Sequence, residues 1–182
     1  LQYEKLLSLM DHNNISFDYL RNVVKKFKDK KVHILGDTII DTYTRGSFIG
    51  GQTKTPTFSI LYEGHQNYVG GAGIVAQHLS SAGAKVTFST MLGNDEFKKF
   101  VIRTLRKNKI KTNIITELGR PTTNKNLIIT GNYRLLKLDT IDNSPIDNKK
   151  INFFIEAIKK DKSEAVIFSD FRHGIFHKMS IE

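Results

Sequence analysis

Three short apolar runs restrict the fold of this chain more than any other feature. They are KVHILG at 31–36, KVTFSTM at 85–91 and AVIFS at 165–169. Each is bounded by charged residues or glycine and is short enough to read as a buried strand. Between them lie stretches with helical spacing. Phe97, Phe100, Val101 and Leu105 mark one apolar face, with Asn94 or Asp95 as its cap. Ile151, Phe154, Ile155 and Ile158 mark another over 149–160. A further short strand is expected at 111–116. Buried strands alternating with helices predict an α/β domain whose sheet is mostly parallel and flanked by helices.

Other segments alternate polar and apolar residues and do not read as central strands. Residues 42–49 and 57–63, joined by GGQTKTP, predict a hairpin with polar faces. A small projecting β lid over 42–63, covering a site or contacting a second copy, fits them. A second hairpin is expected at 121–129 and 133–139, turning at 130–132. At the start, Tyr3, Leu6, Leu7 and Met10, then Phe17, Leu20, Val24 and Phe27 after the cap Ser16, mark two short helices. Residues 1–30 thus read as a helical lead-in or linker and 31–182 as the principal domain. Only FRHGIFHKMSIE follows Asp170. A doubly wound domain would place a helix and further strands there, so the C-terminal part of the fold is expected to be missing.

The stretch YVGGAGIVAQHLSSAGA at 68–84 carries the first candidate site. Gly70 and Gly71 lack Cβ, so the backbone there can take unusual dihedrals and let a ligand approach. Ala72, Ile74, Val75, Ala76, Leu79 and Ala82 supply the apolar positions of a buried helix, and Gly83 suits its C-terminal stop. A glycine turn feeding a helix N-terminus suits a polar or anionic ligand; a turn needed only for packing has the same local pattern. Gly71-Ala-Gly73-Ile-Val-Ala76 also matches a dinucleotide fingerprint. A Rossmann site needs that turn directly after the first buried strand, where this chain has an acidic pair instead. That pair, Asp37 and Asp41 in GDTIID, sits where α/β proteins bind ligands, although capping is an alternative role for both.

There is no Walker A sequence, and the histidines show no metal-ligand spacing. His173 is set apart by following the strand-end Asp170 and preceding Gly174. The formal charge of +10 favours anionic partners. The lysine clusters at 25–31, 98–111 and 149–162 read as solvated faces beside helices. Aromatic residues do not alternate with basic ones as on a nucleic-acid platform, so no nucleic-acid partner is expected. No apolar run reaches the ~20 residues of a membrane helix, so no membrane partner is expected. The absence of cysteine suits the cytoplasm.

The order GDxxxD, GGAxxxAxxLxxxGA, LGNDE, PTTxK, LLKLD and a strand ending SDFxxG resembles the ribokinase/PfkB carbohydrate kinases. Within them it is most similar to the heptose-phosphate kinases, including those fused to a sugar nucleotidyltransferase. The likeness runs from about Lys31 to Phe176. It implies a ribokinase-like fold and ATP-dependent phosphorylation of a sugar or sugar phosphate, with ATP and Mg2+ as cofactors of the full-length protein. It implies that Asp41, with Asp37 beside it, binds sugar hydroxyls, since carboxylates accept from hydroxyl donors. Gly70 and Gly71 match the diglycine that lets the sugar approach. Lys125, Arg134 and Lys137 fall on the hairpin that lines the substrate and phosphate side, where basic residues suit a phosphorylated sugar; an exposed charged edge that discourages strand pairing is the alternative. Asp170 and Arg172 match the segment near the phosphate-transfer centre. A homodimer through the lid strands is also expected. Two departures stand out. Ile74 occupies the position of a usual sugar-contacting asparagine, which Gln77 or His78 would have to replace. No GAGD-type turn, which supplies the family's general base, occurs in this sequence. The chain by itself is therefore expected to be inactive, and a non-catalytic sugar-phosphate binding or regulatory module is the alternative reading.

Overall fold

The computed structural model describes residues 2–51 and 57–181. Most of the expected GGQTKTP connection, residues 52–56, lies outside them. In chain order the elements are α1 (Gln2–His12), α2 (Phe17–Lys25), β1 (Lys31–Gly36), β2 (Thr38–Gly51), β3 (Phe58–Gly71), α3 (Ala72–Ser81) and β4 (Lys85–Gly93). Then come α4 (Glu96–Lys107), β5 (Lys111–Glu117), β6 (Asn124–Thr130), β7 (Tyr133–Thr140), α5 (Asn148–Asp161), β8 (Ala165–Ser169) and α6 (Lys178–Ile181).

The apolar runs form one parallel sheet in the order β5-β4-β1-β8. On one face, α3 and α4 cover Val32, Ile34, Val86 and Phe88 with Ala72, Ala76, Val101 and Leu105. On the other, Ile151 and Phe154 of α5 pack with Leu35, Ile146 and Ile175. Caps set the helix starts. The Asp95 carboxylate accepts the Lys98 amide at 3.2 Å and Asp147 accepts that of Lys150 at 2.9 Å. Gly83, at φ +98°, follows the end of α3.

Several expectations are corrected. AVIFS is an edge strand rather than a buried one. Among the described residues it pairs with β1 alone, and Phe168 is 63% exposed. Ile74, expected on the buried face of α3, is exposed; Ala72, Gly73 and Ala76 are buried, and Val75 and Leu79 pack against the core as expected. The projecting sheet is larger than a hairpin over 42–63. It has four strands in the order β3-β2-β6-β7, because the second hairpin joins it through β6, parallel to β2. β2 and β3 also run further than expected, down to Thr38 and Gly71. Alternation disappears there because Ile39 and Ile40 are both buried, one on each face of the strand.

Helices α1 and α2 form as expected, with Ser16 accepting the Tyr19 amide at 3.0 Å. Tyr3, Leu9, Phe17, Tyr19 and Val24 remain exposed. The segment after α2 joins the main sheet through the Asp29 amide, which donates to the Gly83 carbonyl at 2.9 Å, and an Asp29–Lys85 ion pair. Among the described residues no helix is long and apolar enough to cross a membrane.

Candidate functional site

The two glycines are the last residues of β3 rather than a turn, and each accommodates one aspartate. A Cβ on Gly70 would overlap the Asp41 carboxylate. Gly71 has φ +58°, and a Cβ there would overlap the Asp37 carbonyl. That carbonyl accepts the Ala72 amide at 2.8 Å, so the close approach fixes the start of α3. The question of ligand turn or packing turn thus has a third answer: the diglycine is the seat of the acidic pair.

Strand register then assembles one row across the second sheet. Tyr68 pairs with Asp41, Asp41 with Lys125, and Lys125 with Asp139. Paired residues share a face, so an acid, a base and an acid lie on neighbouring strands about 5 Å apart. One row further out, Gln66, Tyr43, Leu127 and Lys137 are partners, and Lys137 reaches Asp139 at 3.6 Å. Asp41, Tyr43, Arg45, Gln66 and Tyr68 line an open groove of about 380 Å3. Arg134 is not part of this cluster. It pairs with Ile129, four residues from Lys125 and so about 13 Å along the strand.

Asp37 is buried at 3% exposure. Its Oδ2 accepts the amides of Phe171 at 3.0 Å and His173 at 3.3 Å. The carboxylate therefore anchors the loop after β8. Asp170 and Arg172, on the alternate positions of that loop, are exposed; Asp170 accepts the Arg172 amide at 2.7 Å, and Arg172 adopts φ +61°. Arg120 secures the same region by donating to the carbonyls of Asp142, Ser144 and His173 at 2.5–2.9 Å. The His173 ring is 8% exposed, and its Nδ1 lies 2.7 Å from Asn143 Oδ1. Burial, then Lys125, and further Arg120, hold its pKa below the ordinary value against the opposing pull of Asp37 and Asp139.

Asp95 ties LGNDE to PTTNK. It accepts from the Thr122 amide at 2.7 Å and hydroxyl at 2.9 Å, and Thr122 in turn accepts the Gly93 amide at 3.0 Å. These contacts position β6 and hence Lys125. Gln77 is spent on structure, since its amide donates to the carbonyls of Val69 and Gly73, both at 3.2 Å. His78, like Ile74, is exposed. His78, four residues on, lies on the same face of α3 as Ile74.

A cleft of about 640 Å3 lies at the opposite end of the main sheet among Lys31, Lys85, Lys109 and Lys111. α3, α4 and α5 all end there, and their C-terminal carbonyls carry partial negative charge. The lysines offset that charge, so they do not mark an anion site. Among the described residues no group of three His, Asp or Glu is placed to hold a metal ion.

Sequence reasoning missed Tyr43, Arg45 and Tyr68, although the period of two from Asp41 would have found the first two. Asp139 ends the LLKLD motif, but its place beside Lys125 was legible only through strand register. Arg120 and Asn143 carry no sequence signal, because both act through loops brought together by the fold.

The profile described as pfkB family carbohydrate kinase matches residues 29–166. The bifunctional protein HldE of Sulfurimonas denitrificans is 28% identical over 159 residues, 86% of this chain and 33% of the relative. HldE of Campylobacter jejuni subsp. doylei is 33% identical over 147 residues, 80% of this chain and 30% of the relative. The chain thus spans about a third of the length of these curated relatives. Among solved structures, a carbohydrate kinase from Agrobacterium tumefaciens superposes with a TM-score of 0.55 at 21% identity, covering 76% of this chain and 45% of that one. Phosphofructokinase-2 from Escherichia coli in complex with fructose-6-phosphate gives 0.57 at 12% identity, covering 78% and 45%. At these identities the likeness shows the fold, which is that of the ribokinase-like sugar kinases.

Proposed function

Because the chain belongs to the pfkB family of carbohydrate kinases, we propose that it forms the sugar-holding part of an enzyme that phosphorylates a heptose-phosphate-like sugar with ATP. The observation that carries this reading is the row Tyr68–Asp41–Lys125–Asp139 above the diglycine. Asp41 accepts sugar hydroxyls, with Gly70 clearing the space beneath it and Gly71 making room for the Asp37 carbonyl. Lys125 and Lys137 meet a phosphate carried by the sugar. Asp37 works mainly by holding the loop after β8, with Oδ1 left to a hydroxyl. Asp170 and Arg172 lie on that loop toward the transfer region, and Arg134 serves as an outer basic residue. ATP would supply the phosphoryl group, and Mg2+ would offset its charge in the full-length protein. Residues 1–30 serve as a lead-in to the kinase part at 31–182. A second copy packs on the far end of the lid sheet, where Phe48, Ile49, Phe58, Leu61 and Tyr62 are exposed.

Calorimetric titration of the 182-residue chain with fructose 6-phosphate and sedoheptulose 7-phosphate tests the reading. Binding that weakens about tenfold or more in Asp41→Asn supports it, as for a lost charge-assisted hydrogen bond. Failure of both sugars to bind, or unchanged affinity in the variant, refutes it. A non-catalytic sugar-phosphate binding module is the second reading, favoured by Ile74 at the position of the usual sugar-contacting asparagine. On either reading the chain alone produces no ADP from ATP and sugar. A GAGD-type turn in polypeptide beyond residue 182 selects the kinase.

A further inference from the structure

We propose that Nε2 of His173 accepts a hydrogen bond from a hydroxyl of the bound sugar, which makes His173 a specificity-determining residue of this site. The inference rests on the sugar-binding reading above. Asn143 Oδ1 can only accept, so the 2.7 Å contact puts the ring proton on Nδ1 and leaves Nε2 with a bare lone pair. Among the described residues, Nε2 is one of two buried side-chain polar atoms with no partner. A buried acceptor left empty is costly, so each calls for an occupant.

The ring has little freedom to find a partner elsewhere. Its amide is held by Asp37 and its carbonyl by Arg120, and Gly174 follows at φ +93°. Asp37 after β1, Arg120 ahead of β6, Lys125 on β6 and Asp139 on β7 are the charged groups whose fields reach it. Asp37 holds the His173 amide and lines the same small pocket, and it is seated on Gly71 next to the Gly70 that seats Asp41, so His173 borders the acidic pair. Burial and the two cations favour the neutral ring. A neutral acceptor in that setting matches a hydroxyl donor and repels a phosphate oxygen. The pocket it shares with Asp37, Thr38, Arg120 and Thr123 has a volume of about 20 Å3, room for one water-sized group.

Long-range 1H–15N spectra of the full 182-residue chain, labelled at histidine, read the site directly. At pH 7 His173 is expected as the Nδ1–H tautomer. Fructose 6-phosphate or sedoheptulose 7-phosphate should shift its Nε2 resonance, whereas inorganic phosphate should not. His173→Phe should weaken sugar-phosphate binding about tenfold, the equivalent of one hydrogen bond, and His173→Gln should keep it within about threefold. An Nε2–H tautomer, or an equal response to inorganic phosphate, overturns the hydroxyl assignment. Asp41-dependent sugar binding that leaves Nε2 unmoved and His173→Phe unaffected means that a resident water fills the pocket; that overturns this inference and spares the sugar-binding reading. Absence of binding by both sugar phosphates overturns both.

Discussion

Replacing Asp37 separates an anchor from a ligand. Asp37→Ala removes the acceptor of two amides in a buried setting, those of Phe171 and His173. Leaving a buried donor unsatisfied costs roughly 1–3 kcal/mol, so the variant should lose about 2–5 kcal/mol. For a chain of this size that lowers Tm by about 5–15 °C. Asp37→Asn keeps an acceptor without the charge and should lose only about 1–2 kcal/mol, because charge-assisted bonds are roughly twice as strong as neutral ones. Urea unfolding gives the free energies, and hydrogen exchange at the Phe171 and His173 amides locates the loss. If Asp37 acted only as a sugar ligand, Asp37→Ala would abolish binding at unchanged stability. Asp37→Ala within about 0.5 kcal/mol of the parent, with both amides still protected, would refute the anchor.

The glycine pair should divide stability from binding. Gly71→Ala meets a positive φ and the Asp37 backbone, and should cost more than about 2 kcal/mol in urea unfolding. Gly70→Ala meets only the Asp41 carboxylate, which can swing aside, so calorimetry should show sugar-phosphate affinity falling more than stability. Acid sensitivity should trace to His33, which contacts Ser89 at 2.8 Å and Asp161 at 3.2 Å at 0% exposure. Burial holds its pKa below the ordinary 6.5, so as pH falls the unfolded chain takes the proton first. Its contribution to stability is full above about pH 6.5 and declines below it; His173 adds to the same slope, and His33→Gln should flatten it in unfolding measured from pH 7 to 5. Phe58→Asp, placing a charge on the exposed end of the lid sheet, should convert a dimer to monomer in sedimentation without changing sugar-phosphate affinity.

The fold class was legible because strand burial and helix periodicity are local signals. KVHILG and KVTFSTM became β1 and β4, and Asp95 capped α4 as its position suggested. AVIFS misled because an apolar run reports a tendency to be buried, not what lies beside it. The lid was underestimated for a related reason. Polar-apolar alternation marks half-buried strand, and at Ile39 and Ile40 the strand is buried on both faces. The pairing of β2 with β6 joins residues some eighty positions apart, a distance over which no sequence period carries information.

By itself the sequence determined the family, the alternating strands and helices, and the residue types of the candidate site, since motifs and periods are read along the chain. Only the tertiary structure decided which of those residues meet. Register set Lys125 beside Asp41 and Asp139 beside Lys125, and left Arg134 outside. The two glycines were committed to the two aspartates, Asp37 was turned inward to hold a loop, and His173 was buried with one nitrogen empty. The reason is that hydrogen bonding across strands and loops depends on distances through space, which the order of residues does not contain.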